Sequence, residues 1–448
     1  MHKNIGFIST RFAGTDGVSL EANKWADVFE ELGHTCFWFA GELDRKPEKS
    51  VRVPEAHFQN PQNQWINSQI YGRSGRDAAV TDLIHTLRSR LKYELQNFID
   101  LFKIDFLVIE NALSIPMSLP LGISLAELIS ETQIPTIAHH HDFYWERIRY
   151  AVNGVGEYLR MAFPPNLPNI QHVVINSAAR YELARRRSVT ATLIPNVLDF
   201  DNPPPWNLNN SKAFRTSFRL KNNDRVILQP TRIIQRKGIE HAIELVKGLR
   251  DTHCKLIISH EGGDEGFEYV EWVKDYAHEN GVDLRIARHR ISAPWNHHGN
   301  QFSSDSLWNV YSHADFITFP SLNEGFGNAF LEAIYFKKPL LINRYPAFVI
   351  DIESKGFDLV TIDGYMTKDI VQNVSDILHS PDRRKKMIDH NYRIARRHYS
   401  YSILRERLGA LLATLFRDTE LPAGSGRTDG SRYVDRLGAE LSITGVAG

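Results

Sequence analysis

Two glutamates, Glu324 and Glu332, flank the run Gly325-Phe326-Gly327. Glycines at such a place let the main chain come close to a ligand and aim its N–H groups at it. Carboxylates are acceptors for hydroxyl hydrogens. Together they suit a ligand that carries both an anionic group and hydroxyls, as a sugar phosphate does. A second cluster, Arg232 and Lys237 followed by Gly238, supplies two cations to the same half of the chain. Arginine grips two oxygens at once and lysine is a compact charge, so both fit a diphosphate. A third cluster is His139-His140-His141-Asp142. Three histidines and an acid raise the possibility of a metal. Neighbours on an extended chain point to opposite faces, so only His139 and His141 can share a ligand.

The elements that hold these groups follow from patterning. Ala314–Phe319 is apolar and β-branched and reads as a buried strand, and Phe330, Leu331, Ile334 and Tyr335 recur at helical spacing after the glycines. The motif is therefore strand, tight loop and helix start, a place whose dipole favours an anion. Arg225–Gln229 predicts a strand leading into the basic loop. The histidines close a strand over Ile134–Ala138. Ile5–Ser9, a loop with Gly14 and Gly17, a helix over Val18–Leu32 and a strand over Thr35–Phe39 make a βαβ opening without the G-x-G-x-x-G dinucleotide spacing. Residues 41–80 read as a polar, proline-containing insertion or long loop over the acceptor site, anchored by Trp65 and Tyr71. Arg147 and Arg149 either bind an anionic acceptor or lie solvated at the surface, and Arg185–Arg187 read as a solvated helix end.

At 448 residues, 42% hydrophobic, the chain is long enough for two domains. Its 53 basic and 53 acidic residues cancel, which gives no global attraction for nucleic acid or acidic membranes. Two separated cysteines, Cys36 and Cys254, read as buried thiols. No signal-peptide core and no run of about 18 apolar residues is present, so the expectation is a cytoplasmic protein, with peripheral membrane contact left open.

The run Pro320-Ser321, Glu324-Gly325-Phe326-Gly327 and Glu332 resembles the E-x7-E signature of retaining glycosyltransferases of family four, glycosyl transferases group 1. Pro230–Gly238 is similar to the family's G-R-x-x-x-x-K-G, with Thr231 in place of the glycine. Thr192–Phe200 is similar to its I-P-N-G-V-D segment, with Val197 in place of the glycine, and His141-Asp142 to its His-Asp strand end. The resemblance implies a GT-B fold, two doubly wound Rossmann-like α/β domains facing a cleft. It places an acceptor-side domain at 1–203, a donor domain at 204–395, a helix at 396–419 crossing back to the first domain, and a flexible tail at 420–448. It implies a hexose moved with retention from a nucleotide-diphosphate sugar, of UDP-glucose or GDP-mannose type, to a hydroxyl on a sugar, small metabolite or lipid-linked acceptor. Front-face transfer needs no metal or other cofactor. Arg232 and Lys237 would stabilise the leaving diphosphate, Glu332 would hold the ribose, and Glu324 the donor sugar. Gly17, Gly325, Phe326 and Gly327 would line the donor site, and His141 would reach the sugar from the opposite domain, with His139 and His140 as alternatives. Competing readings are a nucleotide-sugar epimerase, a phosphorylase, a non-catalytic sugar-nucleotide binder, and a glycoside-cleaving pair made of Glu324 and Glu332. The last needs carboxyls facing each other across the bond, which one loop does not provide.

Overall fold

In the computed structural model, residues 2–14, 16–203, 211–260, 268–287 and 307–416 are described. The tail read at 420–448 lies outside them. Among these residues two parallel sheets carry the chain. The first half contributes β1 (Asn4–Ile8), β2 (Arg11–Phe12), β3 (Thr35–Ala40), β4 (Glu42–Leu43), β5 (Ser50–Arg52), β6 (Phe106–Glu110), β7 (Thr136–His140), β8 (Ile170–Val174) and β9 (Ala191–Leu193). Seven of these form one sheet in the order β5-β3-β1-β6-β7-β8-β9. The second half contributes β10 (Arg225–Gln229), β11 (Cys254–Ile258), β12 (Leu284–Ile286), β13 (Phe316–Phe319), β14 (Leu340–Asn343) and β15 (Val360–Ile362), ordered β12-β11-β10-β13-β14-β15. Each order reverses direction beside its first strand, β1 or β10. In such doubly wound sheets ligands sit beyond the carboxyl ends of the strands, where the order reverses.

Helices cover both faces, which is why the strands read as near-continuous apolar runs. On the first sheet, α1 (Gly17–Glu31) packs one face through Trp25, Val28 and Phe29. The other face is covered by α3 (Ala78–Phe102) and α4 (Leu119–Thr132), through Leu91, Leu95, Phe98, Leu125 and Ile129. On the second sheet, α8 (Ile239–Leu249), α9 (Glu268–Glu279) and α12 (Lys368–His379) share one core. The helices α10 (Leu307–His313), α11 (Asn328–Tyr335) and α13 (Pro381–Tyr399) share the other. The last helix, α14 (Tyr401–Leu415), returns to the first half. Its Tyr401, Leu404, Leu408 and Leu411 are buried in the core that holds Trp25 and Val108.

Two readings are corrected. Residues 41–80 are not one long loop. They contain β4, β5, α2 (Pro61–Ile70) and the start of α3. Asn60 caps α2 by accepting from the Gln62 amide at 2.9 Å, Pro61 opens it, and Ile66 and Ile70 are wholly buried one turn apart. A polar cap followed by proline is a helix start, and the low apolar content masked it. Nor is Arg187, at the end of α6 (Ser177–Arg187), merely solvated. Its guanidinium donates to the carbonyls of Pro164 at 2.6 Å and Leu159 at 3.3 Å, and to that of Arg160. Burial lowers its pKa.

Candidate functional site

The glycine loop between β13 and α11 is held from below. Gly327 has φ +98°, and a Cβ there would lie 2.3 Å from the Tyr345 hydroxyl and 2.9 Å from the Phe319 ring. Tyr345 itself is buried and donates to the Phe326 carbonyl at 2.6 Å. Only glycine fits this backbone and this space. The Phe326 ring turns into the core against Tyr399, with centroids 5.4 Å apart, so this residue offers the site its main chain rather than its side chain.

The basic loop lies beside it. Lys237 and Glu324 form an ion pair, and Arg236 approaches the same carboxylate at 3.5 Å. Burial lowers the Lys237 pKa and the Glu324 charge opposes that fall. Arg232 is exposed and close enough for its charge to depress Lys237 further. The loop is fixed by Gln229, wholly buried at the end of β10. Its amide donates to the Thr231 hydroxyl at 3.0 Å and the Lys237 carbonyl at 3.2 Å, and accepts from Thr318. Every polar atom of that side chain is thus used, as a buried amide requires. Glu332 sits in α11, where Tyr311 of α10 donates to it at 2.7 Å. Burial raises its pKa, while the Tyr311 bond and the Lys24 charge from α1 pull it down.

The first half meets this loop directly. A Cβ on Gly325 would lie 3.2 Å from the His141 carbonyl, and Asn176 donates to the Gly325 carbonyl at 2.8 Å. Gly17, which opens α1, faces the start of α11: its Cβ position is 3.6 Å from Asn328 Nδ2. Asn196 in turn donates to the Asn328 side chain at 2.6 Å. Two helix N-termini therefore converge, one from each half, and their dipoles add at that point.

The three histidines separate by environment. His139 is buried and stacks on Trp25 at 4.2 Å between centroids. His140 is buried on the other face and pairs with His172 at 2.9 Å. His141 alone keeps some exposure, toward the cleft. Sequence reasoning did not find the residue that organises them. Glu110, the last residue of β6, is wholly buried and accepts from His139 Nδ1 at 3.1 Å and His141 Nε2 at 2.9 Å. Burial alone would raise its pKa, but the two imidazoles hold it down to about 2. Burial works to lower His141, and the Glu110 bond and charge raise it overall. His139 is lowered by burial. A glutamate closing an apolar strand was the available signal. Among the described residues, Glu110, His139 and His141 also bring three possible donor atoms within 4.8 Å of one another, a set of the kind a divalent ion uses.

The structure thus gathers Glu324, Gly325, Gly327, Lys237, His141 and Gly17 around one meeting of the halves, with Glu332 on the adjoining helix. It leaves Arg232 at the exposed rim. Comparison with known proteins places the chain. Residues 210–394 match the family model described as glycosyl transferases group 1. A mannosylglucosylglycerate synthase of Thermotoga maritima is 30% identical over 437 residues, 90% of this chain and 98% of that protein. One of Petrotoga mobilis is 32% identical over 389 residues, 80% of this chain and 86% of that protein. The crystal structure of a glycosyltransferase from Rickettsia africae superimposes with a TM-score of 0.66, over 93% of this chain and 98% of that one, at 14% identity.

Proposed function

Because the chain belongs to the group 1 glycosyltransferases, with their GT-B fold, we propose that it transfers mannose from a nucleotide-diphosphate donor of the GDP-mannose type to a hydroxyl of glucosylglycerate. Both synthases it is similar to are named for mannosylglucosylglycerate. A product of that composition arises when mannose is the sugar moved and a glucosylated glycerate is the acceptor. The observation that carries the reading is the convergence of the Gly325–Gly327 loop, Lys237 and the starts of α1 and α11 on one point between the halves.

In this reading the diphosphate lies across the loop amides and the two helix starts, with Lys237 and Arg232 taking its growing charge as the sugar bond breaks. Glu332, held by Tyr311, receives the ribose hydroxyls. Glu324 exchanges Lys237 for the donor sugar's hydroxyls once phosphate arrives. His141 meets the sugar from the first half. No carboxylate is assigned as a nucleophile, so the departing phosphate takes the acceptor's proton on the same face and configuration is retained. Cations and dipoles neutralise the leaving group, and transfer proceeds without a divalent ion.

The test is thermal stabilisation by UDP-, GDP- and ADP-sugars and free nucleotides, on wild type, Glu332→Ala and Lys237→Ala. A ligand at 100 times its Kd adds about 2.7 kcal/mol. The expected result is stabilisation by guanine nucleotides, weakened in both variants, and turnover that survives EDTA with an axial product by NMR. No shift with any nucleotide overturns the donor site. A shift confined to uridine or adenine nucleotides overturns the choice of mannose donor.

A further inference from the structure

Asn111, the residue after Glu110, has φ +59°. This left-handed conformation is strained for a residue with a Cβ and persists where the surroundings enforce it. Here its side chain is fully engaged. Oδ1 accepts from the His141 amide at 2.8 Å and the Ser114 hydroxyl at 3.1 Å, and Nδ2 donates to Asp142 Oδ1 at 3.0 Å. The loop after β6 is thereby welded to the loop after β7. Asp142 passes the constraint on: its Oδ2 receives Arg147 Nε at 2.7 Å and also Arg147 Nη2. The outcome of a strained asparagine and a spent aspartate is one arginine held still. Its side chain remains 39% exposed, and among the described residues no partner claims Nη1. Asp142 follows His141, whose carbonyl lies 3.2 Å from the Cβ position of Gly325, so the ion pair ties the guanidinium to the strand end that meets the glycine loop.

We propose that Arg147 is the specificity-determining residue for the acceptor and binds its carboxylate. The proposal rests on the acceptor reading above, since glycerate is what supplies an anion. Guanidinium is the side chain suited to a carboxylate, because its planar N–H groups match two oxygens. Pre-fixing it lowers the ordering cost on binding. The Asp142 charge cancels part of its field, so recognition depends on the orientation of the free N–H groups, and neutral surroundings are not drawn in. Arg149 does not share this construction: its guanidinium rests on the adjacent Tyr150, 4.5 Å from the ring centroid, with no anchor outside its own segment among the described residues.

The experiment compares glucosylglycerate with glucosylglycerol, its neutral counterpart, as acceptors for wild type, Arg147→Met and Arg147→Lys. Losing a hydrogen bond to a charged group costs roughly 10- to 100-fold. Arg147→Met is expected to raise KM for glucosylglycerate by that factor, with kcat/KM for glucosylglycerol unchanged within about threefold and nucleotide-induced stabilisation intact. Arg147→Lys restores part of the preference. Asn111→Gly, which suits the backbone but removes the anchor, shifts the same preference in the same direction. Equal loss for both acceptors in Arg147→Met, or no loss for either, overturns the assignment. Failure of wild type to use glucosylglycerate, while guanine nucleotides still bind, overturns the acceptor reading and this inference with it, and leaves the donor site standing.

Discussion

Replacing His172 with Gln should flatten the acid side of the protein's stability profile. His172 lies on β8 opposite Ala138 of β7, and His140 follows two residues further along β7 on the same face; their rings are 5.2 Å apart and nearly parallel. One nitrogen of each is shared in the 2.9 Å bond. His140 Nδ1 is buried with no hydrogen-bond partner among the described residues. Burial pushes the His172 pKa from 6.5 down to about 4, and burial and the His172 ring push His140 well below its usual value. Both are therefore neutral in the fold and bind protons when it opens. A depressed folded pKa contributes stability that is complete above pH 6.5 and is lost as the pH falls toward 4, because only the unfolded chain gains protons there. The slope is about 1.4 kcal/mol per pH unit for one histidine, and the 2.5-unit gap in His172 makes about 3 kcal/mol in all. Urea unfolding at pH 4.5 to 7.5, followed for wild type and His172→Gln, reads the contribution of the pair, since His172 is removed and His140 loses its neighbour while the remaining titrating groups are common to both. The variant is expected to be less stable at pH 7.5 and to lose about 1.4 kcal/mol less per pH unit below 6.5. Parallel curves would refute the claim that this pair stores protonation energy.

Two further outcomes concern the donor site. Gly327→Ala forces a Cβ to within 2.3 Å of the Tyr345 hydroxyl at φ +98°, so the loop must move; nucleotide affinity measured by calorimetry should fall at least tenfold while the far-ultraviolet dichroism is kept. Tyr311→Phe removes the 2.7 Å bond that positions Glu332, and should weaken nucleoside diphosphate binding by about fivefold to tenfold without changing the affinity for inorganic diphosphate, which carries no ribose.

The two halves, their buried strands and the strand–loop–helix form of the glycine motif were legible in the sequence because each rests on local pattern. The apolar run before Pro320, the two glycines and the helical spacing after them all lie within about twenty residues. What could not be read was pairing across distance. Which histidine faces the cleft depends on Trp25 packing over His139 and His172 packing against His140, and nothing near residue 140 encodes either. Glu110 looked like a strand end, because its partners are some 30 residues on. Gln229 and Tyr345 carry no local signal of the loops they prop. Arg147 could be named as a cation, but its fixation required knowing that Asn111 and Asp142 meet.

The return of α14 to the first half also bears on how the protein comes into being. Trp25 and Val108 belong to a core that closes only over Leu404, Leu408 and Leu411. A ribosome makes residues in order, at about 5 to 20 per second, so roughly 10 to 40 s separate the end of β9 from the arrival of that helix. For that interval α1 has an apolar flank with no cover. The first half cannot finish folding when its own strands are complete; it waits for the last described helix of the chain, and by then the second half is already made. Completion of the first half's core therefore follows synthesis of the whole second half, and any truncation inside α14 leaves that core open.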